Sequence, residues 1–156
     1  MKQKELEYRK FDTISKATEV LKEIFKKYPE FEMLEICKNE YNRERTPDEL
    51  SRCASQMGVL LCRVGEVVAE MTTRANEAYI YRKFKYLWSF NSLSGLTAKE
   101  RENIAMEQTL ENYEIELVNR YIADLIKVKY EDYARFVNLI QTRLGVLKQE
   151  RINSNF

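Results

Sequence analysis

An all-α fold is predicted by three features of the sequence. Apolar residues recur at alternating steps of three and four, the spacing that lines one face of a helix. The two prolines and four glycines are sparse, and most stand where helices start or stop. No alternating strand pattern bounded by turn signals competes with the helical segments. The predicted architecture is a helical bundle built on a long two-helix antiparallel hairpin with coiled-coil-like packing, preceded by a short N-terminal helical pair. By length, residues 1–156 make a single domain, with the pair in 13–45 and the hairpin in 47–152.

The first helix is expected from about Thr13 to Tyr28, where Ile14, Ala17, Leu21, Ile24 and Tyr28 share a face. The second, from Pro29 to about Arg45, uses Phe31, Leu34, Cys37 and Tyr41 in the same way. Pro29 and Pro47 each suit a first helical position, where the missing N–H is no loss. Thr46-Pro47-Asp48-Glu49 is a complete start signal, with Thr46 as N-cap and Glu49 able to close a capping box. The third helix then runs to about Ser89. The turn-forming run Asn91-Ser92-Leu93-Ser94-Gly95 follows, and Thr97-Ala98-Lys99-Glu100 repeats the capping logic. A fourth helix is expected from Ala98 to Ile152 unless it breaks near Gly145. Its stripe of Ile115, Val118, Ile122, Leu125, Tyr133, Val137, Ile140, Leu144 and Leu147 wanders in spacing, which fits either a long curved helix or one broken near Tyr130.

The third helix carries the strongest pattern. Steps of four and three from Leu50 give Leu50, Ala54, Met57, Leu61, Val64, Val68, Met71, Ala75 and Ala78, a seam without a polar residue. A sustained heptad of this kind predicts coiled-coil-like packing. Gly58 and Gly65 lie seven apart beside it. Glycine within a helix costs about 1 kcal/mol relative to alanine, and close approach of a neighbouring helix is the expected reason for both. Two helices of more than ~40 residues would each exceed ~60 Å at 1.5 Å per residue, so the seams are expected to be completed by other copies in a homo-oligomer.

With 44% hydrophobic and 33% charged residues the chain has a globular composition. No apolar run approaches the ~18–20 residues of a bilayer span, and the charged start MKQKELEYRKFD lacks a signal-peptide core. A cytoplasmic protein without membrane contact is the expectation. Cys37, Cys53 and Cys62 are expected to be small buried thiols. Net charge is only +1, but residues 99–119 carry two basic and six acidic side chains, and residues 74–85 four basic and one acidic. Any anion site must therefore be local.

Most chemistry is excluded. Histidine is absent, which removes the Ser/His and Cys/His nucleophile pairs and the commonest metal ligand. The four glycines are isolated, so no phosphate-cradling loop is present. Glu107, Glu111 and Glu114 share part of one helix surface, and GEVVAEM at 65–71 superficially resembles the magnesium-binding motif of all-helical nucleotide pyrophosphatases. Glu66 and Glu70 are four apart, however, where that family uses three, and no matching acidic pair follows. A non-enzymatic protein with no catalytic residue, metal, cofactor or small-molecule substrate is expected.

What remains is AYIYRKFKYLW at 78–88. At about 100° per residue, Arg74, Tyr81, Lys85 and Trp88 share a narrow sector with Arg82 at its edge. Tyr79, Lys83 and Tyr86 lie on a second face, and Ile80, Phe84 and Leu87 on a third. The rings surround the helix, so one partner helix cannot bury them all. The apolar seam would next place Arg82 and Lys85, so its packing must end or change character there. One reading is a nucleic-acid surface of Arg74, Tyr81, Arg82, Lys83, Lys85 and Trp88, with cations for phosphates and rings for unstacked bases. The other is a helix–helix interface anchored by Tyr and Trp, with lysine and arginine stems lying over it.

The order of features extends this reading. A heptad-rich helix turns basic and aromatic, a short polar break follows, and a long charged helix opens on LTAKERENIAMEQTL and closes on QTRLGVLKQE. Over about residues 48–152 this layout resembles phage recombination mediator proteins of the T4 UvsY type. The resemblance implies a non-enzymatic, ring-like homo-oligomer in the bacterial host cytoplasm that binds single-stranded DNA and helps load a recombinase. Arg74, Arg82, Lys83 and Lys85 fall where that family is basic ahead of its break. The alternative expectation is a helical structural or adaptor protein of a phage or mobile element, a virion component or an inhibitor of a host system, acting through protein–protein contacts.

Overall fold

Five α-helices satisfy this periodicity in a computed structural model that describes residues 2–41 and 46–154. They are α1 (Lys2–Lys27), α2 (Glu30–Glu40), α3 (Pro47–Ser92), α4 (Ala98–Gln108) and α5 (Leu110–Asn153). No strand occurs among the described residues, and the long helices α3 and α5 pack against each other in an all-α bundle.

The boundaries differ from expectation where packing and helicity part company. α1 begins at Lys2 rather than Thr13. Its opening residues lack an apolar stripe but are mostly good helix formers, and a stripe reports burial rather than helix formation. Pro29 precedes α2 as its N-cap, with a carbonyl that accepts from Met33 N–H at 3.0 Å. Residues 42–45 of the expected second helix lie outside the described residues. α3 opens on the expected capping box, with Thr46 N–H donating to Glu49 at 2.8 Å and Glu49 N–H to the Thr46 hydroxyl at 3.4 Å. At α4 the box recurs, and hydrogen bonds from Thr97 hold the Glu100 carboxyl below the usual carboxylate range.

The expected fourth helix is in fact two. Its break falls at Thr109, and α5 runs unbroken through both Tyr130 and Gly145. Thr109 is buried, and its hydroxyl donates back to the Ala105 carbonyl at 2.8 Å. Its backbone at φ −106°, ψ 6° ends α4. Threonine back-bonding of this kind bends helices without any glycine or proline.

The chain folds into two compact units, each drawing on α1, α3 and α5. Unit 2 gathers Glu23–Val68 with the chain from Ile126 onward. Leu34, Leu50, Met57, Val64, Ile126 and Ile140 are buried outright there. Each such side chain contributes about 1.5–3 kcal/mol of transfer free energy. Tyr133 is buried among them and donates to Glu35 at 2.8 Å. Burial first, and the bond to Glu35 second, push its ionisation up. Tyr41 meets Phe136 edge-on at 5.0 Å, and Lys38 is bonded to Asp132, which raises its pKa.

Unit 1 gathers the chain up to Lys22 with Ala69–Leu125. Ala17, Leu21, Met71, Ala105 and Ile122 are buried, but so are the polar residues Ser89, Thr109 and Glu116. As α3 advances its partners fall in number, Arg82 with Glu116 and Ser89 with Gln108, the order expected of an antiparallel hairpin.

The predicted seam is inward throughout. Leu50, Ala54, Met57, Val64 and Met71 are buried and Leu61, Val68, Ala75 and Ala78 half-buried. Other expectations are corrected. Ile14 and Ile115 are exposed, while Ala123 and Ile126 enter the core that the α5 stripe did not include. Cys53 is a buried thiol and Cys37 half-buried, but Cys62 is exposed because it falls on the outer side of α3. No neighbouring helix presses on the two glycines. A Cβ on Gly58 would meet nothing within 4 Å, and one on Gly65 would touch only the Tyr130 ring, at 3.5 Å. Gly95 does have a conformational role, with φ +78° in the α3–α4 turn.

Candidate functional site

Beyond Ala78 the seam position passes to Arg82, and unit 1 absorbs it. Its guanidinium pairs with Glu116, which is only 2% exposed. Arg120, one turn along α5, donates to the other carboxylate oxygen at 2.9 Å. The rings of Tyr79 and Tyr113 lie 5.7 and 5.3 Å from the Arg82 guanidinium carbon. An unpaired buried carboxylate would cost several kcal/mol, so two arginines hold one glutamate. Arg82 is thereby an internal partner and not a free surface cation.

The other residues of the expected nucleic-acid surface divide. Arg74 is exposed and pairs with Glu70 at 2.6 Å, an i,i+4 contact. Lys83 lies on the Tyr79 side, its ammonium 5.5 Å from that ring's centroid. Tyr81, Lys85 and Trp88 remain together. Tyr81 is 54% and Trp88 63% exposed, and the Lys85 ammonium stands 5.5 Å from the Tyr81 centroid. Seven residues of helix set the two rings about 10.5 Å apart along the axis. Tyr86, by contrast, stacks on Phe90 at 6.2 Å, and Arg101 caps Phe90 at 4.8 Å.

The third face of the segment proves to be the most exposed. Ile80 is 64%, Phe84 65% and Leu87 50% exposed, at steps of four and three on the side of α3 away from the seam. Their shared face was visible in the sequence, but no role was assigned to it. The available signal was a second apolar seam opposite the first. From Ala78 to Lys99 the chain has four basic residues and no Asp or Glu.

Unit 2 holds an apolar groove of about 450 Å³ lined by Met33, Ile36, Cys37, Gln56, Val59 and Leu60. It can seat an apolar side chain, but it offers no acid, base or carboxylate for chemistry. Among the described residues no His, Cys, Asp and Glu side chains gather in a group suited to a metal ion, and no helix is long and apolar enough to cross a membrane. Glu70, half of the pyrophosphatase-like pair, is engaged by Arg74. Comparison with protein-family models, with curated proteins and with solved structures returns no match.

Proposed function

We propose that this chain is a non-enzymatic, self-associating accessory protein that holds single-stranded DNA on the exposed Tyr81, Lys85 and Trp88 face of α3. The observation that carries this reading is the pairing of two exposed rings with an unpaired cation inside a stretch lacking any carboxylate. Single strands suit such a face because every base has a π-face to stack. The layout resemblance to phage recombination mediators supports loading of a recombinase as the setting.

The test is fluorescence anisotropy of a labelled oligonucleotide at two salt concentrations. Binding should weaken steeply with salt, because each phosphate contact contributes about 0.7 to the logarithmic slope. Trp88→Ala should lose about 1–3 kcal/mol, roughly five-fold to over a hundred-fold in affinity. Lys85→Glu should reduce the salt slope, and Arg74→Ala should matter less because Glu70 already engages that cation. Absence of binding at low salt would remove the proposal.

A second reading, an adaptor that grips protein, is favoured by the exposure of Ile80, Phe84 and Leu87, which nucleic acid does not require. On that reading Tyr81→Ala and Trp88→Ala disrupt partner capture with no nucleic acid present.

A further inference from the structure

We infer that the Ile80, Phe84 and Leu87 strip of α3 receives the acidic outer face of α4 and early α5 from a second copy, so that copies join head to tail. This rests on the self-association half of the proposed function and is independent of the nucleic-acid half.

The strip has the step of a helix-packing seam and nothing from its own chain over it. Its three side chains are each at least half exposed. A contiguous apolar patch of this kind marks a contact surface rather than a scatter of surface residues. Its charge decides the occupant. Lys83 and Lys85 stand about 100° to either side of Phe84 around the helix. If the strip docked against itself, parallel or antiparallel, lysine would meet lysine across the contact, with no carboxylate between Ala78 and Lys99 to relieve it. The occupant must be apolar at its centre and acidic at its margins.

Unit 1 carries such a surface elsewhere. Met106 on α4 is 53% exposed, with Glu102 one turn before it and Glu107 beside it. Ile115 on α5 is equally outward, one turn after exposed Glu111. Glu100 and Glu116 are committed to Thr97 and Arg82, but Glu102, Glu107 and Glu111 form no ion pair among the described residues. The two surfaces are thus complementary in shape of sequence and opposite in sign, on different elements of one chain. A contact between them is heterologous, and repetition closes a ring or continues as a filament. Tyr81 and Trp88 are not needed for it, so the nucleic-acid face stays open beside the contact.

The experiment is light scattering without nucleic acid on wild type, on an Ile80→Asp, Phe84→Asp variant, on a Met106→Lys, Glu107→Lys variant, and on an equimolar mixture of the two. Wild type should exceed monomer mass and each variant alone should be monomeric. The mixture should give a dimer and nothing larger, since only one intact surface of each kind remains. A monomeric wild type, assembly of the acidic-face variant alone, or a mixture that stays monomeric would each overturn the inference. Should a variant lose its helical circular dichroism, Lys83→Glu and Glu107→Lys replace the pair, with the same expected pattern. Oligonucleotide anisotropy on the same samples reads the nucleic-acid face separately, so loss of that reading and loss of this contact are different results.

Discussion

The two halves of α3 share one heptad register and use it in opposite ways. In the half within unit 2 the inward positions are Leu50, Met57 and Val64, and the outward side is largely Ser51, Arg52, Ser55, Arg63 and Glu66. In the half within unit 1 the inward positions shrink to Ala75 and Ala78 and then turn polar at Arg82 and Ser89, while Ile80, Phe84, Leu87 and Trp88 face outward. The first half is amphipathic in the sense that stabilises a fold. The second is inverted, and an apolar exterior that adds nothing to folding is what a binding surface requires.

The sharpest break of this comparison puts the same substitution on both halves. Met57→Asp buries a carboxylate at a fully enclosed position with no partner, and should lose more than about 4 kcal/mol. At about 2–4 °C per kcal/mol for a chain of this size, the midpoint should fall by at least 8–16 °C or the fold should be lost. Phe84→Asp should change stability by no more than about 0.5 kcal/mol, as an outward position does. Calorimetry of the two variants decides the matter. An equal loss at Phe84 would make the strip part of a core and end the contrast.

What was legible in the sequence follows the same division. The seam from Leu50 to Ala78 could be read because burial and helical period coincide there, and both threonine capping boxes could be read because their partners are three residues apart. The break at Thr109 could not. Threonine is not a helix breaker by type, and its back-bond to Ala105 ends α4 without any turn-forming residue. Nor could the fate of Arg82 be read, since Glu116 lies 34 residues on and looked like one of many surface carboxylates. Ile80, Phe84 and Leu87 were placed on a common face correctly. Their exposure depended on how much of α3 the rest of unit 1 covers, which no local pattern encodes.

A middle-sized effect tests the inverted half from within. Glu116→Ala should cost about 1–3 kcal/mol, less than a fully buried ion pair because Arg82 keeps a quarter of its side chain in contact with water. The double-mutant cycle of Arg82→Ala with Glu116→Ala should give a coupling energy above about 1 kcal/mol. The same cycle on Arg74 and Glu70, both well exposed, should give no more than about 0.5 kcal/mol. Chemical denaturation of the two sets of variants makes the measurement. Equal couplings would mean that Arg82 is a surface cation after all, available to phosphate in the way Arg74 is.

The smallest effect probes the ordinary half. Gly58 stands inside α3 with open space where a Cβ would go. Gly58→Ala should therefore stabilise the chain by about 0.5–1 kcal/mol, because alanine restricts the unfolded backbone and suits the helix. Gly65→Ala should gain somewhat less, since its new methyl must share space with the Tyr130 ring at 3.5 Å. Thermal melts at low protein concentration isolate the effect on a single copy, and light scattering follows assembly in parallel. A rise in midpoint with unchanged mass is the expected pair of results, and it would place both glycines outside any contact between copies. A fall in mass with the midpoint still raised would show that another copy approaches Gly58 closely, moving the assembly surface from the inverted half of α3 to the ordinary one.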